Sequence, residues 1–214
     1  MTTAHATGVL YVIACGAGAA PEIGRLVAQA RQRGWDVHLI ATPAAVDFLD
    51  ISALEAQTGH AIRSDYQRTA DERGRSLPHA DAIIVAPATY NTINKWAHGI
   101  SDNYALGILA EAIGIGIRII VLPFVNAALA AHPAFRRSVR ELREAGVTIV
   151  HGPGELEPHP PATGASQLNS FPWHLALDRA DALVPREAGP LVHPGDPVSS
   201  QRSARKSGLI RTDS

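Results

Sequence analysis

Five apolar residues in a row, Ala82-Ile-Ile-Val-Ala86, sit directly before a proline, and few folds accept such a run. A strand that is apolar at every position, rather than at every second one, is buried on both faces, as inside a parallel sheet covered by helices on both sides. Pro87 withholds a backbone donor and is expected to close the strand. Thr89, Asn91 and Thr92 then offer caps for a following helix, whose free N–H groups and positive dipole end favour a phosphate or a carboxylate. Ligands bind at the carboxyl ends of strands in an open parallel sheet, so a binding site is expected over residues 85–103.

The rest of the chain repeats that alternation. Residues 8–14 are an apolar run closed by Gly16 and Gly18, and residues 21–33 carry helix-spaced Ile23, Leu26, Val27 and Ala30. Gly34 suits a helix C-cap. Strands are expected at 36–42, 118–123 and 147–150, a short helix after Pro43, and a helix over 133–145 ending at Gly146. Repeated strand and helix units predict an α/β fold, a doubly wound parallel sheet in a Rossmann-like three-layer sandwich. The first loop, Cys15-Gly-Ala-Gly-Ala-Ala-Pro-Glu22, is not a dinucleotide fingerprint, because the third glycine of that pattern is missing.

With 214 residues, 46% of them hydrophobic, one domain of this kind is expected over 1–184. From 185 to 214 the periodicity gives way to proline, glycine, serine and the basic residues Arg202, Arg205, Lys206 and Arg211, the composition of a disordered tail. A formal charge of −1 gives no general reason to bind nucleic acid or an anionic membrane. No apolar run approaches the roughly 20 residues that span a bilayer, and residues 1–7 do not read as a signal sequence, so a cytoplasmic protein is expected. The single cysteine, Cys15, excludes an internal disulfide and a cysteine-cluster metal site, and no metal is expected. Cys15 itself reads as a small buried residue.

The segment Pro87-Ala-Thr-Tyr-Asn-Thr92, with Ile93, Lys95 and Gly99-Ile-Ser-Asp-Asn103, resembles the Pro-Ala-Ser-Ala-Asn-Thr motif of the homo-oligomeric flavin-containing cysteine decarboxylases. Thr89 keeps the hydroxyl of the family serine, and Tyr90 adds bulk where the family has alanine. Pro123-Phe-Val-Asn-Ala-Ala-Leu-Ala130 is similar to the family's Pro-Ala-Met-Asn-x-x-Met-Trp, with Pro123 and Asn126 retained. The similarity runs over roughly residues 8–155. It implies FMN as cofactor, held by Gly16, Ala17, Thr42, Phe48, Pro87, Ala88, Thr89 and Val125. It also implies catalytic positions at Asn91 and Lys95, and recognition of a substrate cysteine carboxylate by Asn126, an amide with two donors. A turn cap after a strand and a core phenylalanine remain the plain readings of Asn126 and Phe48. Family members are trimers or trimers of higher order, and Trp96, Tyr104 and Leu106 suit such a contact.

Two departures bear on the chemistry. The family's histidine position holds Arg73, which stays protonated and cannot serve as a general base. His79 is the candidate to replace it, with His60 behind it. Residues 151–184 also lack the late cysteine that returns electrons to the product in phosphopantothenoylcysteine decarboxylation, so the reaction is expected to stop at the oxidised enethiol. The first function expected is therefore oxidative decarboxylation of a cysteine-ending peptide or small thiol. The alternatives are a flavin-binding relative without that activity, an oxidoreductase or regulatory subunit, and a flavin prenyltransferase-like enzyme using Arg63, Arg68 and Arg73.

Overall fold

A computed structural model of the chain describes residues 8–65 and 77–184. Five parallel strands form one sheet: β1 (Gly8–Ala14), β2 (Trp35–Ala41), β3 (Ala82–Ala88), β4 (Arg118–Pro123) and β5 (Thr148–Ile149). Their order across the sheet is β2-β1-β3-β4-β5. The order reverses direction between β1 and β3, which is the topological switch point of the fold.

Alternation along each strand divides the sheet into two cores. Leu10, Val12 and Ala14 face one side, where α1 (Gly24–Gln32) and α7 (Trp173–Leu183) lie, and Tyr11 and Ile13 face the other. That second face is covered by α3 (Tyr90–Ala97), α4 (Tyr104–Ile115) and α6 (Pro133–Glu144). Two shorter helices, α2 (Ile51–Thr58) and α5 (Ala127–Ala131), complete the chain order, and the expected three-layer sandwich is the observed one.

The structure departs from the sequence reading at Pro87. β3 does not stop there but runs to Ala88, with a register shift against β4 between Val85 and Ala88. A residue without a donor is tolerated in a central strand where the ladder is already interrupted. The Pro87 carbonyl still accepts from the Cys15 N–H (3.2 Å), which ties the first loop to the end of β3.

The tail expected over 185–214 lies outside the described residues, as does Arg73.

Candidate active site

Loops leaving β1 and β3 turn to opposite faces of the sheet and open a crevice between them. A cleft of about 640 Å³ stands there, lined among others by Gly16, Ala17, Thr42, Thr89, Asn91, Lys95, Asn126 and His159. Its floor is fixed by backbone: Thr42 N–H donates to Ala14 (2.9 Å) and Phe124 N–H to Ala88 (2.8 Å). A Cβ on Gly16 would stand 2.4 Å from the Ala44 carbonyl oxygen, so the close approach of these two loops requires glycine.

The cleft offers donors without acceptors. The Gly16 and Gly18 N–H groups make no hydrogen bond among the described residues. At the start of α3 the Thr89 hydroxyl accepts from Thr92 N–H (3.2 Å), while the N–H groups of Tyr90 and Asn91 precede the first intrahelical acceptor. Unpaired N–H groups from a glycine loop and a helix start, sharing one crevice, suit an anion such as a phosphate.

Asn126 fills its capping role and keeps the donors that the resemblance assigns to a carboxylate. Its Oδ1 caps α5 by accepting from Leu129 N–H (2.9 Å), which leaves its Nδ2 hydrogens without a partner among the described residues and free to donate. Lys95 reaches the cleft with its ammonium on the Asp102 carboxylate. That hydrogen bond holds Asp102 below the usual carboxylate range. The other Asp102 oxygen accepts from Asn103 Nδ2 (3.1 Å), so neither oxygen is a free base. Asn91 is exposed on the cleft wall. The added bulk of Tyr90 is turned partly onto α6, where its ring stacks on Phe135 (5.9 Å between centroids) and its hydroxyl meets His132 Nδ1 (3.1 Å).

Several expected residues lie elsewhere. Phe48 is 43% exposed and does not line the cleft. Pro87 and Ala88 are buried in β3 and act through their carbonyls, and the Val125 side chain lines a smaller neighbouring cavity of about 120 Å³. His79 lines a third cavity with Tyr11, Arg63 and Tyr104, away from Asn91 and Lys95. Trp96, Tyr104 and Leu106 are buried in the second core, so they pack the subunit itself rather than offer a free contact surface. Cys15 is fully buried, and burial pushes its thiol up from the usual range, as for an unreactive core residue.

His60 belongs to a cluster that sequence did not suggest. Asp36 Oδ1 takes His60 Nε2 (2.7 Å) and Oδ2 takes His38 Nε2 (3.3 Å), with the two imidazoles stacked 3.9 Å apart. Two imidazoles on one tetrahedral ion diverge from it, with centroids about 5 Å apart. The stacked pair is the geometry of a shared hydrogen-bond acceptor.

A cleft-lining residue that the sequence did not suggest is His159, in the segment between β5 and α7, together with Phe124, against which its ring packs (5.0 Å). No spacing links His159 to the motifs; only the fold brings it there. Its carbonyl accepts from Ala127 N–H (2.8 Å), and it pairs in parallel with Asn126.

A doubly wound sheet with a cleft at its switch point defines an α/β protein whose crevice between β1 and β3 is suited to a phosphorylated ligand. The chain belongs to the Flavoprotein family, which its residues 3–170 match. Among solved structures it is similar to the FMN-dependent cysteine decarboxylase SpaF, at 28% identity and a TM-score of 0.61, over 83% of this chain and 99% of that one. It is likewise similar to TvaF, an FMN-dependent cysteine decarboxylase from thioviridamide biosynthesis, at 25% identity and a TM-score of 0.60, over 81% and 98% of the two chains. A curated relative is the coenzyme A biosynthesis bifunctional protein CoaBC of Bacillus subtilis (strain 168), 32% identical over 126 residues, which are 56% of this chain and 30% of that protein. The chain spans about a third of the length of such relatives, as with the CoaBC protein of Thermococcus kodakarensis, 34% of which is covered at 26% identity over 63% of this chain.

Proposed function

We propose that this chain binds FMN in the cleft and oxidatively decarboxylates the C-terminal cysteine of a peptide or a small cysteine-derived thiol. One observation carries the reading: the switch-point cleft sets a cradle of unpaired N–H groups beside an asparagine whose amide donor is uncommitted. The first suits the cofactor phosphate and the second a substrate carboxylate. Likeness to SpaF and TvaF supports the same assignment.

When bound, FMN supplies an acceptor for two electrons. The chain supplies position. Gly16 and Gly18 N–H and the α3 start hold the phosphate, the Thr89 cap keeps that start in place, and Thr42 closes the adjoining wall. Asn126 Nδ2 donates to the carboxylate that leaves as carbon dioxide, and the Lys95–Asp102 pair fixes the wall beside Asn91 without presenting a net charge. Cys15 is the chain's single cysteine and is buried, so no thiol is at hand to return electrons to the product. The product of this reading is the enethiol.

Assembly as a homotrimer or higher homo-oligomer and a cytoplasmic location belong to the same proposal. Exposed Ile100 and Ile115, at 45% and 58%, are apolar surface that a subunit contact would cover. No helix among the described residues is long and apolar enough to cross a membrane. The test is the absorbance spectrum of the purified protein, followed by heat release and mass measurement of the chromophore. Released FMN supports the proposal; a colourless protein that also fails to take up added FMN overturns it.

A further inference from the structure

Decarboxylation that begins at a thiol needs a group to take the thiol proton, and the arginine at the family's histidine position cannot do so. Among the described residues, the one histidine lining the cleft is His159. We propose that His159 Nε2 is the proton acceptor for the substrate thiol, an inference that rests on the decarboxylase reading and names the base it lacks.

The tautomer is set by the backbone. His159 Nδ1 lies 2.9 Å from the Pro160 carbonyl oxygen. A carbonyl can only accept, so Nδ1 carries the hydrogen and Nε2 keeps its lone pair in the neutral ring. No hydrogen bond among the described residues uses that lone pair. The ring is held between Phe124 and the glycine at 164, where an added Cβ would stand 3.4 Å from His159 Cε1. Position follows from an isolated parallel bridge that pairs His159 with Asn126, and backbones paired in this way run about 4.8 Å apart. In a terminal cysteine the carboxylate carbon and the sulfur are separated by three bonds. A substrate with its carboxylate on Asn126 Nδ2 therefore has its thiol within reach of the residue across that bridge.

Of the other candidate bases, His79 lines a different cavity and several more are already engaged. His132 Nδ1 accepts from Ala134 N–H (3.1 Å) as the cap of α6 and also meets Tyr90 Oη, so its lone pair is spent. His38 and His60 turn to Asp36, and Asp102 is taken by Lys95 and Asn103.

The step balances as follows. Nε2 takes the proton from sulfur, the carbon bearing sulfur gives up a hydrogen with its electron pair to the flavin, and a carbon–sulfur double bond forms. The bond from Cα to the carboxylate then breaks, its pair forms the carbon–carbon double bond, and the sulfur regains the proton from Nε2. Carbon dioxide and one hydride leave the carboxylate form of the substrate, and Nε2 ends as it began; the second hydrogen lost between the neutral species is the carboxyl proton, already given to solvent.

The test uses the flavin-loaded full chain and H159Q. Turnover of a cysteine-ending peptide should fall at least about 100-fold in H159Q, with flavin content and peptide affinity kept. Turnover within threefold of the unaltered protein, flavin in place, overturns the inference. A second readout does not need turnover. In ¹⁵N-histidine spectra, the resonance lost in H159Q should show a hydrogen on Nδ1 and none on Nε2. With the flavin reduced under nitrogen, its Nε2 signal should move on adding a cysteine-ending peptide and move far less with the same peptide ending in alanine. A hydrogen on Nε2, or equal shifts with both peptides, overturns it. An unaltered protein that turns over no cysteine-ending peptide contradicts the decarboxylase reading instead, and the inference on His159 is then decided by the two peptides' shifts.

Discussion

Two clusters of polar side chains lie on this sheet, one at its β2 edge and one at its switch point, and they differ in what is left over. At the edge, both oxygens of Asp36 are taken by His60 and His38, and the rings stack on each other. At the switch point, Gly16 and Gly18 N–H, Asn126 Nδ2 and His159 Nε2 all face a cleft without partners among the described residues. Both clusters hold histidines. A side chain whose hydrogen-bonding capacity is spent stabilises the fold, whereas one held in place with capacity to spare can bind a ligand.

Substitutions at the switch point should therefore remove function, and those at the edge should change stability alone. Gly16→Val is expected to have the largest effect, because the 2.4 Å approach to the Ala44 oxygen leaves no room and the loop must move. Flavin recovered by heat release should fall to a small fraction of the normal content. Gly114→Ala is the control: it sits within α4 with nothing near its Cβ and should raise stability by about 0.5–1 kcal/mol in a thermal melt with flavin content unchanged.

Asn126→Asp separates the two roles of that residue. The aspartate still caps α5, but a carboxylate now faces the substrate carboxylate, so peptide turnover should fall about 100-fold or more while flavin stays bound. An active N126D enzyme would remove Asn126 from substrate recognition. Thr89→Val deletes the α3 cap and should cost about 1 kcal/mol in denaturant unfolding, with weaker flavin retention. Unchanged retention would mean that the α3 start does not hold the phosphate.

The edge cluster should show its effect in acid, and only there. Burial is the largest influence on Asp36 and would raise it, but the hydrogen bond and charge of His60, with those of His38, outweigh it and hold the carboxyl below its usual range. A depressed carboxyl contributes stability above its unfolded value of about 3.9 that is lost as pH falls through the folded value. Burial also holds His38 below the usual imidazole range, so the unfolded chain takes up that proton first and stability falls as pH drops below about 6.5. Melting temperature should fall from pH 7 toward pH 4, and His38→Phe should flatten the upper part of that fall. An unaltered slope would show that His38 does not carry it.

Sequence made the sheet legible through its apolar runs, and Asn126, Thr89 and Gly16 through motif and turn chemistry. Two further helices, α7 and α2, carry plain sequence signals of their own. Trp173, Ala176, Leu177 and Ala180 carry the helical spacing that buries α7, and Asp50 and Gly59 cap α2. In α4 the pattern itself is blurred, since apolar residues occur on both faces and Gly107 and Gly114 interrupt it. His159 was not legible at all. Its importance depends on a pairing with Asn126 across 33 positions of sequence and on the carbonyl of its own neighbour, neither of which leaves a periodic trace. His79 shows the reverse, a residue near the motif strand in sequence that the fold sends to another cavity.

Mass spectrometry of peptides incubated with the flavin-loaded protein tests the central claim most directly. A peptide ending in cysteine should lose about 46 mass units, ~44 as carbon dioxide and ~2 as hydrogen, and the same peptide ending in serine should not change. If a varied panel of cysteine-ending peptides and small cysteine-derived thiols keeps its mass while FMN is confirmed in the cleft, the protein is a flavin binder without this reaction and the account of the cleft as a decarboxylase site is wrong.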